Sequence, residues 1–187
     1  MDLERLKKHQ KALARSGVRF VDGLTAAELS DLEVRYGFSF PTDLRTFLMF
    51  ALPVSDRFVD WRNATTEQVN DSLRWPLDGI CFDIEHNDFW PNDWGTRPDA
   101  LPQAFAIAAQ RVQAAPTLIP ICGHRYIPDR PCEVGNPVFS VYQSDIIVYG
   151  YNLDDYLQNE FSYSLGGRSR SANGQPKEIE FWTSVVQ

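Results

Sequence analysis

Cysteine is scarce in this chain of 187 residues. It contains three cysteines, Cys81, Cys122 and Cys132, and no two of them form a Cys-x-x-Cys pair. An odd number without a close pair does not build a disulfide framework, so we expect reduced thiols in a reducing compartment. Cys122, His124 and Cys132 are zinc-compatible residue types, but a closed site needs four ligands. We therefore predict a buried thiol beside a structural histidine and no metal site.

Long apolar runs are also missing. No segment reaches the length of a membrane span, and residues 1–8 lack the apolar core of a signal peptide. A thin apolar stripe with basic flanks in the first segment predicts an amphipathic helix that packs against the rest of the protein rather than on a membrane surface. We therefore expect a cytoplasmic protein with no membrane partner.

The motifs that identify common enzymes are missing as well. The sequence has no glycine-rich phosphate-binding loop, no Gly-x-Ser-x-Gly nucleophile motif and no His-Glu-x-x-His metal-binding motif. We therefore expect no enzyme activity, no catalytic residue and no cofactor.

Charge is present but unevenly distributed. The net charge is −7, yet residues 1–20 carry six basic and two acidic side chains, a local charge of +4, which leaves −11 for the rest of the chain. An acidic body repels phosphate, so we expect no nucleic-acid partner. Complementary charge speeds association, so such a surface favours a basic protein partner, although solubility alone explains the charge equally well.

The most informative stretch is the run of residues 24–50. Thr25 is suited to cap a helix, with Glu28 reaching back to the backbone of the cap. Gly37 occupies the position of a left-handed C-terminal cap, and Pro41 stands where a second helix starts, since its missing N–H costs nothing there. Apolar residues at helical spacing give each predicted helix one buried face: Leu29, Leu32 and Tyr36, then Leu44, Phe47 and Leu48.

This run resembles the N-terminal signature of the SUKH superfamily, which includes the fungal cell-wall assembly regulators of the Smi/Knr type. Residues 51–54, Ala-Leu-Pro-Val, depart from the Asn-Gly-Gly that many members have at this point. Later segments, as far as Phe161, look like the bacterial branch of the superfamily. The positions that carry the resemblance within the run are Leu24, Thr25, Leu32, Glu33, Gly37, Pro41, Phe47 and Leu48.

The resemblance implies an α+β fold with a largely antiparallel central sheet and helices packed on one side. The residue pattern indicates the same class, because helical segments occur before and between grouped strands. A length of 187 residues with 43% hydrophobic content suffices for one domain with a substantial core. We predict an N-terminal amphipathic helix within residues 1–23 and a single SUKH-like domain over residues 24–187.

Local patterns predict the remaining elements. We expect Pro76 to follow the end of a helix and Pro120 to place its strand at a sheet edge or a bulge. The predicted elements are helices over Thr66–Leu73, Leu101–Ala115 and from Asn152 to Phe161; strands over Gly79–Ile84, Leu118–Ile121, Val138–Tyr142, Ile146–Tyr151 and Glu178–Val185; and loops over His86–Asp99, residues 122–137 and Gly166–Gly174.

Aromatic and acidic loops form the predicted partner-binding surface. Large aromatic side chains and arginine are the residue types that anchor protein interfaces. Tryptophans in a loop also roof ligand pockets, or pin the loop onto the sheet. The candidate partner-binding residues are Asp83, Glu85, His86, Asp88, Trp90, Trp94, His124, Arg125 and Tyr126.

Part of this set has an alternative chemical interpretation. On a strand, Asp83 and Glu85 would point to the same face. Together with His124 they have the groups to bind a hard divalent metal or to act as an acid–base pair. Nothing in the sequence brings His124 close to the carboxylates, and a solvated strand end explains them without a ligand.

These patterns predict a non-enzymatic cytosolic protein that binds another protein. For the bacterial branch, the resemblance implies an immunity protein that neutralises a polymorphic toxin by occluding its active site, and an acidic body suits a basic toxin such as a nuclease. The fungal relatives imply a regulatory scaffold for a signalling or wall-synthesis partner. A metal-dependent hydrolase that uses Asp83, Glu85 and His124 is the third hypothesis. The sequence leaves the partner and the oligomeric state open.

Overall fold

The computed structural model describes residues 1–166 and 174–185. Within these residues the chain forms seven helices and six strands, with a short 3-10 turn at Asn92–Trp94. The helices are α1 (Leu3–Arg15), α2 (Ala26–Tyr36), α3 (Thr42–Phe50), α4 (Thr66–His86), α5 (Leu101–Ala114), α6 (Leu153–Glu160) and α7 (Trp182–Val185). The strands are β1 (Phe20–Asp22), β2 (Ala51–Pro53), β3 (Leu118–Cys122), β4 (Arg125–Pro128), β5 (Val138–Tyr142) and β6 (Asp145–Gly150). Most of the predicted loop over Gly166–Gly174 lies outside the described residues.

The predicted pair of capped helices is confirmed in α2 and α3. The Thr25 side chain accepts a hydrogen bond from the Glu28 amide, and the Glu28 carboxylate accepts one from the Thr25 amide at 2.7 Å. Gly37 ends α2 in the left-handed conformation, with φ of 73°, which costs glycine little because it has no Cβ. Pro41 is the N-cap residue of α3.

The strands form two antiparallel sheets, so the predicted α+β class is confirmed. The short strands β1 and β2 pair with each other, and the larger sheet has the order β3-β4-β5-β6. The predicted hairpin of β5 and β6 forms, and β3 lies at a sheet edge with a register shift after Pro120. The loop predicted over residues 122–137 is wrong in its first part, because residues 125–128 form β4. Gly123, with φ of 57°, turns the chain into this strand.

Helices cover both faces of the larger sheet, whereas the resemblance implies helices on one face only. Alternate residues of a strand point to opposite faces. On β4, Ile127 packs in a cluster with side chains of α1, α2, α3 and α6, whereas Tyr126 packs in a second cluster with Ile80 and Ile84 of α4. The two-sided burial explains why β3, β4 and all of β5 except its last residue are buried along their length.

Helix α4 corrects two predictions at once. It runs through Pro76 for 21 residues, so the helix predicted to end at Leu73 continues, and the strand predicted over Gly79–Ile84 is its last part. Ile80 and Ile84 are fully buried while Phe82 is exposed, which is the spacing of a helix with one buried face. A short apolar run does not distinguish a strand from a buried helical turn.

The chain end also differs from the prediction. Residues 178–181 form no strand, and Trp182–Val185 is a short helix. Ile179, Trp182 and Val185 are spaced three residues apart, and all three side chains are buried in the cluster that also contains Tyr126. The alternation seen in the sequence therefore belongs to a turn and a helix rather than to a strand.

The first segment forms the expected amphipathic helix, α1, whose residues Leu6, His9 and Leu13 are buried. Strand β1 follows α1 and pairs with β2, the strand directly after α3. This pairing joins residues 20–22 to residues 51–53. Along residues 1–166 and 174–185, no helix has both the length and the apolar character needed to cross a membrane.

Candidate functional site

A surface groove runs along the first half of α4. It consists of two adjoining clefts of about 540 Å³ and 440 Å³. Ser72 and Gly123 line both clefts, so the clefts lie side by side. The first cleft is also lined by residues 56–60, and the second by Asp71, Trp75, His124, Tyr126 and Tyr142. We refer to the two clefts together as the α4 groove.

Local structure on each side fixes the walls of the groove. Thr65 caps the start of α4 by accepting from the Gln68 amide, and Gln68 bonds back to the Thr65 amide. On the other side, Phe58 forms an antiparallel bridge with Cys122, and the Gly123 amide donates to the Arg57 carbonyl at 2.6 Å. These backbone contacts hold residues 56–60 against the turn between β3 and β4.

Two aromatic side chains stand on the rim of the second cleft. Trp75 is 45% exposed and Tyr142 is 59% exposed. The Trp75 indole N–H donates to the Val141 carbonyl at 3.1 Å, which fixes the ring beside Tyr142. A bonded indole N–H leaves mainly the carbon surface of the ring to face a partner. Exposed aromatic residues in an open cleft are typical of surfaces that bind other molecules.

Carboxylates outnumber cations along the groove. Asp56, Asp60 and Asp71 line it together with one arginine, Arg57. The Arg57 guanidinium donates to the largely buried side chain of Glu160 at 2.7 Å, so its charge is paired with a carboxylate. At neutral pH the groove therefore presents a net negative charge to solvent.

A buried ion cluster supports the groove from below. Arg125 donates to Glu160 at 3.0 Å and to the Ser140 hydroxyl at 2.6 Å, and its guanidinium lies 3.8 Å from the centre of the Tyr149 ring. Burial alone would raise the pKa of Glu160, but hydrogen bonds from Arg57 and Arg125 outweigh it and lower this pKa. Glu160 is therefore ionised and joins α6 to both β4 and residue 57.

His124 lies in the groove as a neutral imidazole at pH 7. Its pKa is lowered from the ordinary value, first by burial and then by the neighbouring charge of Arg125. A neutral imidazole both donates and accepts a hydrogen bond, and it adds no positive charge to the groove.

Two of the nine predicted partner-binding residues, His124 and Tyr126, line the α4 groove. Tyr126 is almost fully buried, and its hydroxyl donates to the Ser72 carbonyl at 3.0 Å. Arg125 points to the opposite face of the sheet, where it contacts Glu160.

The other six predicted residues lie outside the lining of the groove. Glu85 and His86 are exposed at the end of α4, where His86 stacks on Phe82, and Asp88 is exposed and paired with Arg97. These three stay predicted partner contacts.

The two tryptophans of the predicted surface are engaged within the fold. The Trp90 indole N–H donates to the Gly95 carbonyl at 2.8 Å. Trp94 is buried and packs edge-on against Trp90 and face-on against Phe181. Of the interpretations left open by the sequence, these contacts fit tryptophans that pin their loop to the protein.

Asp83 is buried, and its contacts differ from the alternative arrangement in which it shares a strand face with Glu85. Its carboxylate accepts from the Ser144 amide at 2.8 Å, from the Ser144 hydroxyl and from the Asn87 amide group. Because residue 83 belongs to a helix, Asp83 and Glu85 do not share a face. Within residues 1–166 and 174–185, no three His, Cys, Asp or Glu side chains are grouped so as to hold a metal ion.

The residues that sequence reasoning missed are Trp75, Tyr142 and Asp71. Trp75 directly precedes Pro76, where the helix was expected to end. Trp75 was therefore not assigned to the same helix face as Asp71, four residues earlier. Tyr142 is the last residue of β5 before a predicted hairpin turn. An exposed aromatic residue at that position was the available signal.

Comparisons with known proteins identify no relative: no protein-family model, no curated protein and no solved structure matches this chain. The interpretation of the groove therefore depends on its own geometry and chemistry.

Proposed function

We propose that this protein is a non-enzymatic binding protein that acts in the cytoplasm and neutralises a toxin by binding it directly. The observation that carries this proposal is the exposed pair Trp75 and Tyr142 on the rim of an open, acidic groove. Tyrosine and tryptophan dominate the binding energy of many protein interfaces. The negative charge of the groove suits a basic partner surface, and the SUKH-like sequence run supports the class of partner.

Co-expression with the toxin encoded beside the gene tests this proposal. We expect the protein to co-purify with the toxin and to protect cells that express it. Replacing both Trp75 and Tyr142 with alanine should weaken binding at least roughly 30-fold, since one hot-spot residue contributes about 2 kcal/mol.

Val34→Ala is the matched control, because Val34 is an apolar side chain that is 85% exposed on α2 and does not line the groove. This variant should bind and protect as the unchanged protein does. A neighbouring toxin that neither binds nor loses toxicity would overturn the proposed function.

A further inference from the structure

The second cleft of the α4 groove combines a carboxylate with two aromatic rings. Asp71 and Trp75 are four residues apart on α4, so their side chains lie on one face of the helix. Tyr142 lines the same cleft from the end of β5. The three groups come from two elements that the bond between Trp75 and the Val141 carbonyl holds together.

The Asp71 carboxylate is accessible to an incoming group. It accepts from Arg74 at 2.7 Å, but both side chains of this pair are more than half exposed. Arg74 also lies 4.0 Å from Asp78, so it has a second carboxylate on the same helix. Exposed ion pairs contribute little to stability, so an incoming cation is able to share or replace this one.

The uncharged groups that line this cleft do not repel a cation, and the neighbouring cations Arg57 and Arg74 are each paired with a carboxylate. His124 is uncharged at neutral pH because its pKa is lowered. Ser72 and Gly123 carry no charge, and Tyr126 is a neutral phenol whose pKa burial raises further. An acidic partner side chain, in contrast, would face the Asp71 carboxylate, and the adjacent Arg74 is already shared between Asp71 and Asp78.

We infer that the cleft formed by Asp71, Trp75 and Tyr142 receives an arginine side chain from an extended segment of the protein partner. Arginine fits better than lysine because its planar guanidinium stacks on aromatic rings while its N–H groups bond a carboxylate. The inference rests on the proposed function for the identity of the partner, and it adds the chemistry by which the groove recognises it.

Short peptides test the inference without the toxin. The probe is acetyl-Gly-Gly-Arg-Gly-Gly-amide, compared with the same peptide carrying Lys, Leu or Glu at the centre. The readout is the NMR signal of the Trp75 indole N–H, identified as the signal that Trp75→Phe removes. We expect the arginine peptide to shift this signal in a saturable way and to bind more tightly than the other three.

A matched pair of variants separates the cleft from general attraction to an acidic protein. Asp71→Asn removes the carboxylate of the cleft, and Asp31→Asn removes the same charge from an exposed position on α2, outside the groove. We expect Asp71→Asn to weaken the arginine peptide about fivefold, which corresponds to one exposed ion pair of roughly 1 kcal/mol. Asp31→Asn should leave the affinity unchanged.

Several outcomes would overturn the inference. Equal loss in the two variants would mean that only net charge matters, and equal binding of the lysine peptide would remove the assignment to arginine. A toxin that is neutralised while the arginine peptide leaves Trp75 unaffected would refute this inference and leave the proposed function standing. Arginine binding without any neutralised toxin would refute the proposed function instead.

Discussion

Asp83 illustrates how one side chain joins two distant parts of the chain. It lies on α4, and its carboxylate accepts two hydrogen bonds from Ser144 in the turn between β5 and β6. Burial alone would raise the pKa of Asp83, but the bonds from Ser144 and Asn87 outweigh it and the pKa is lowered. The carboxylate is therefore charged and fully engaged inside the fold.

Asp83 does not line the α4 groove, and removing its carboxylate should destabilise the protein. We expect Asp83→Ala to lower the free energy of unfolding by about 2 kcal/mol, because hydrogen bonds to a charged group contribute roughly 1.5 to 3 kcal/mol. Urea unfolding followed by circular dichroism measures the change. Glu85→Ala is the control on the same helix, and its exposed side chain should give a change below about 0.5 kcal/mol. Similar losses in both variants would contradict this role for Asp83.

Sequence reasoning identified contacts between neighbours in the chain and missed contacts between distant residues. The caps at Thr25 and Gly37 were predictable because each depends on residues within four positions. The role of Asp83 was not, because its partner Ser144 is 61 positions away. The sequence shows the ionisable group of Asp83 but not its partner, so it left both a binding role and a structural role open.

Helix α4 passes through Pro76 because a side chain replaces the missing backbone bond. A proline inside a helix has no N–H for the carbonyl four residues earlier, which here belongs to Ser72. The Tyr126 hydroxyl donates to that carbonyl at 3.0 Å. The prediction that the helix stops before Pro76 failed for this reason, since the compensating donor comes from β4.

This compensation predicts a specific coupling between residues 76 and 126. Tyr126→Phe should cost about 1 kcal/mol, because it leaves the Ser72 carbonyl without its donor. In a Pro76→Ala background the same change should cost close to nothing, since residue 76 then supplies an N–H. Urea unfolding of the four proteins gives the coupling energy, which we expect to be about 1 kcal/mol.

Tyr142→Phe serves as the control for that cycle, because it removes a hydroxyl from an exposed tyrosine. It should change stability little in either background. An equal cost of Tyr126→Phe with and without the proline would show that Tyr126 does not replace the helical bond.

Gly79 sets how closely α4 approaches the turn between β5 and β6. A Cβ at this position would lie 2.7 Å from the Gln143 Cα, which is too close for two carbon atoms. Contacts of Trp75 and Asp83 with the same hairpin, one turn before and one turn after, restrict any shift of the helix. The backbone spacing therefore requires glycine here.

Gly79→Ala should destabilise the protein although alanine favours helices. The gain in helix propensity is about 1 kcal/mol, whereas overpacking against backbone costs roughly 1 to 3 kcal/mol, so we expect a net loss of about 1 kcal/mol. Asp78→Ala, an exposed change beside it, is the control. Thermal unfolding measures both variants, and a Gly79→Ala protein that melts at a higher temperature would disprove the close contact.

At the level of elements, local patterns predicted helices and hairpins where neighbouring residues decide the structure. The helices α2, α3 and α5 and the pair β5–β6 follow from caps, apolar spacing and turns. The patterns failed at Gly79–Ile84 and Glu178–Val185, whose buried apolar side chains all pack in the cluster that contains Tyr126, although neither segment is a strand. The groove was not predictable, because it combines α4 with the turn between β3 and β4 and with Tyr142, which lie far along the chain from α4.

Across the whole molecule, ion pairs connect α1 to α6, the helix that follows the larger sheet. Asp154 of α6 accepts from the Arg5 guanidinium at 2.5 and 2.8 Å, and from the Nε2 atom of His9 at 2.6 Å. The Nδ1 atom of His9 contacts the Tyr163 hydroxyl. His9 and Asp154 are buried, so this network couples the docking of α1 to the ionisation of one carboxylate.

The network predicts how stability depends on pH. Burial alone would raise the pKa of Asp154, but hydrogen bonds from Arg5 and His9 outweigh it and hold the pKa well below its usual range. A folded-state pKa below the unfolded value of about 3.9 gives stability that is complete above that value and is lost as the pH falls through the folded value. Asp154→Asn should therefore be less stable at pH 7 by about 3 kcal/mol, the cost of breaking a buried pair.

The test compares urea midpoints of the unchanged protein and Asp154→Asn between pH 7 and pH 3. We expect the difference in unfolding free energy to shrink below about pH 4, where the wild-type carboxylate starts to lose this stabilisation.

Asp43→Asn is the control, because the stability difference that it produces should change with pH in the opposite direction. Burial raises the pKa of Asp43, so its protonation favours the folded protein, and the unchanged protein should gain stability relative to Asp43→Asn as the pH falls. A constant Asp154→Asn difference over the whole range would mean that this carboxylate does not couple α1 to the fold.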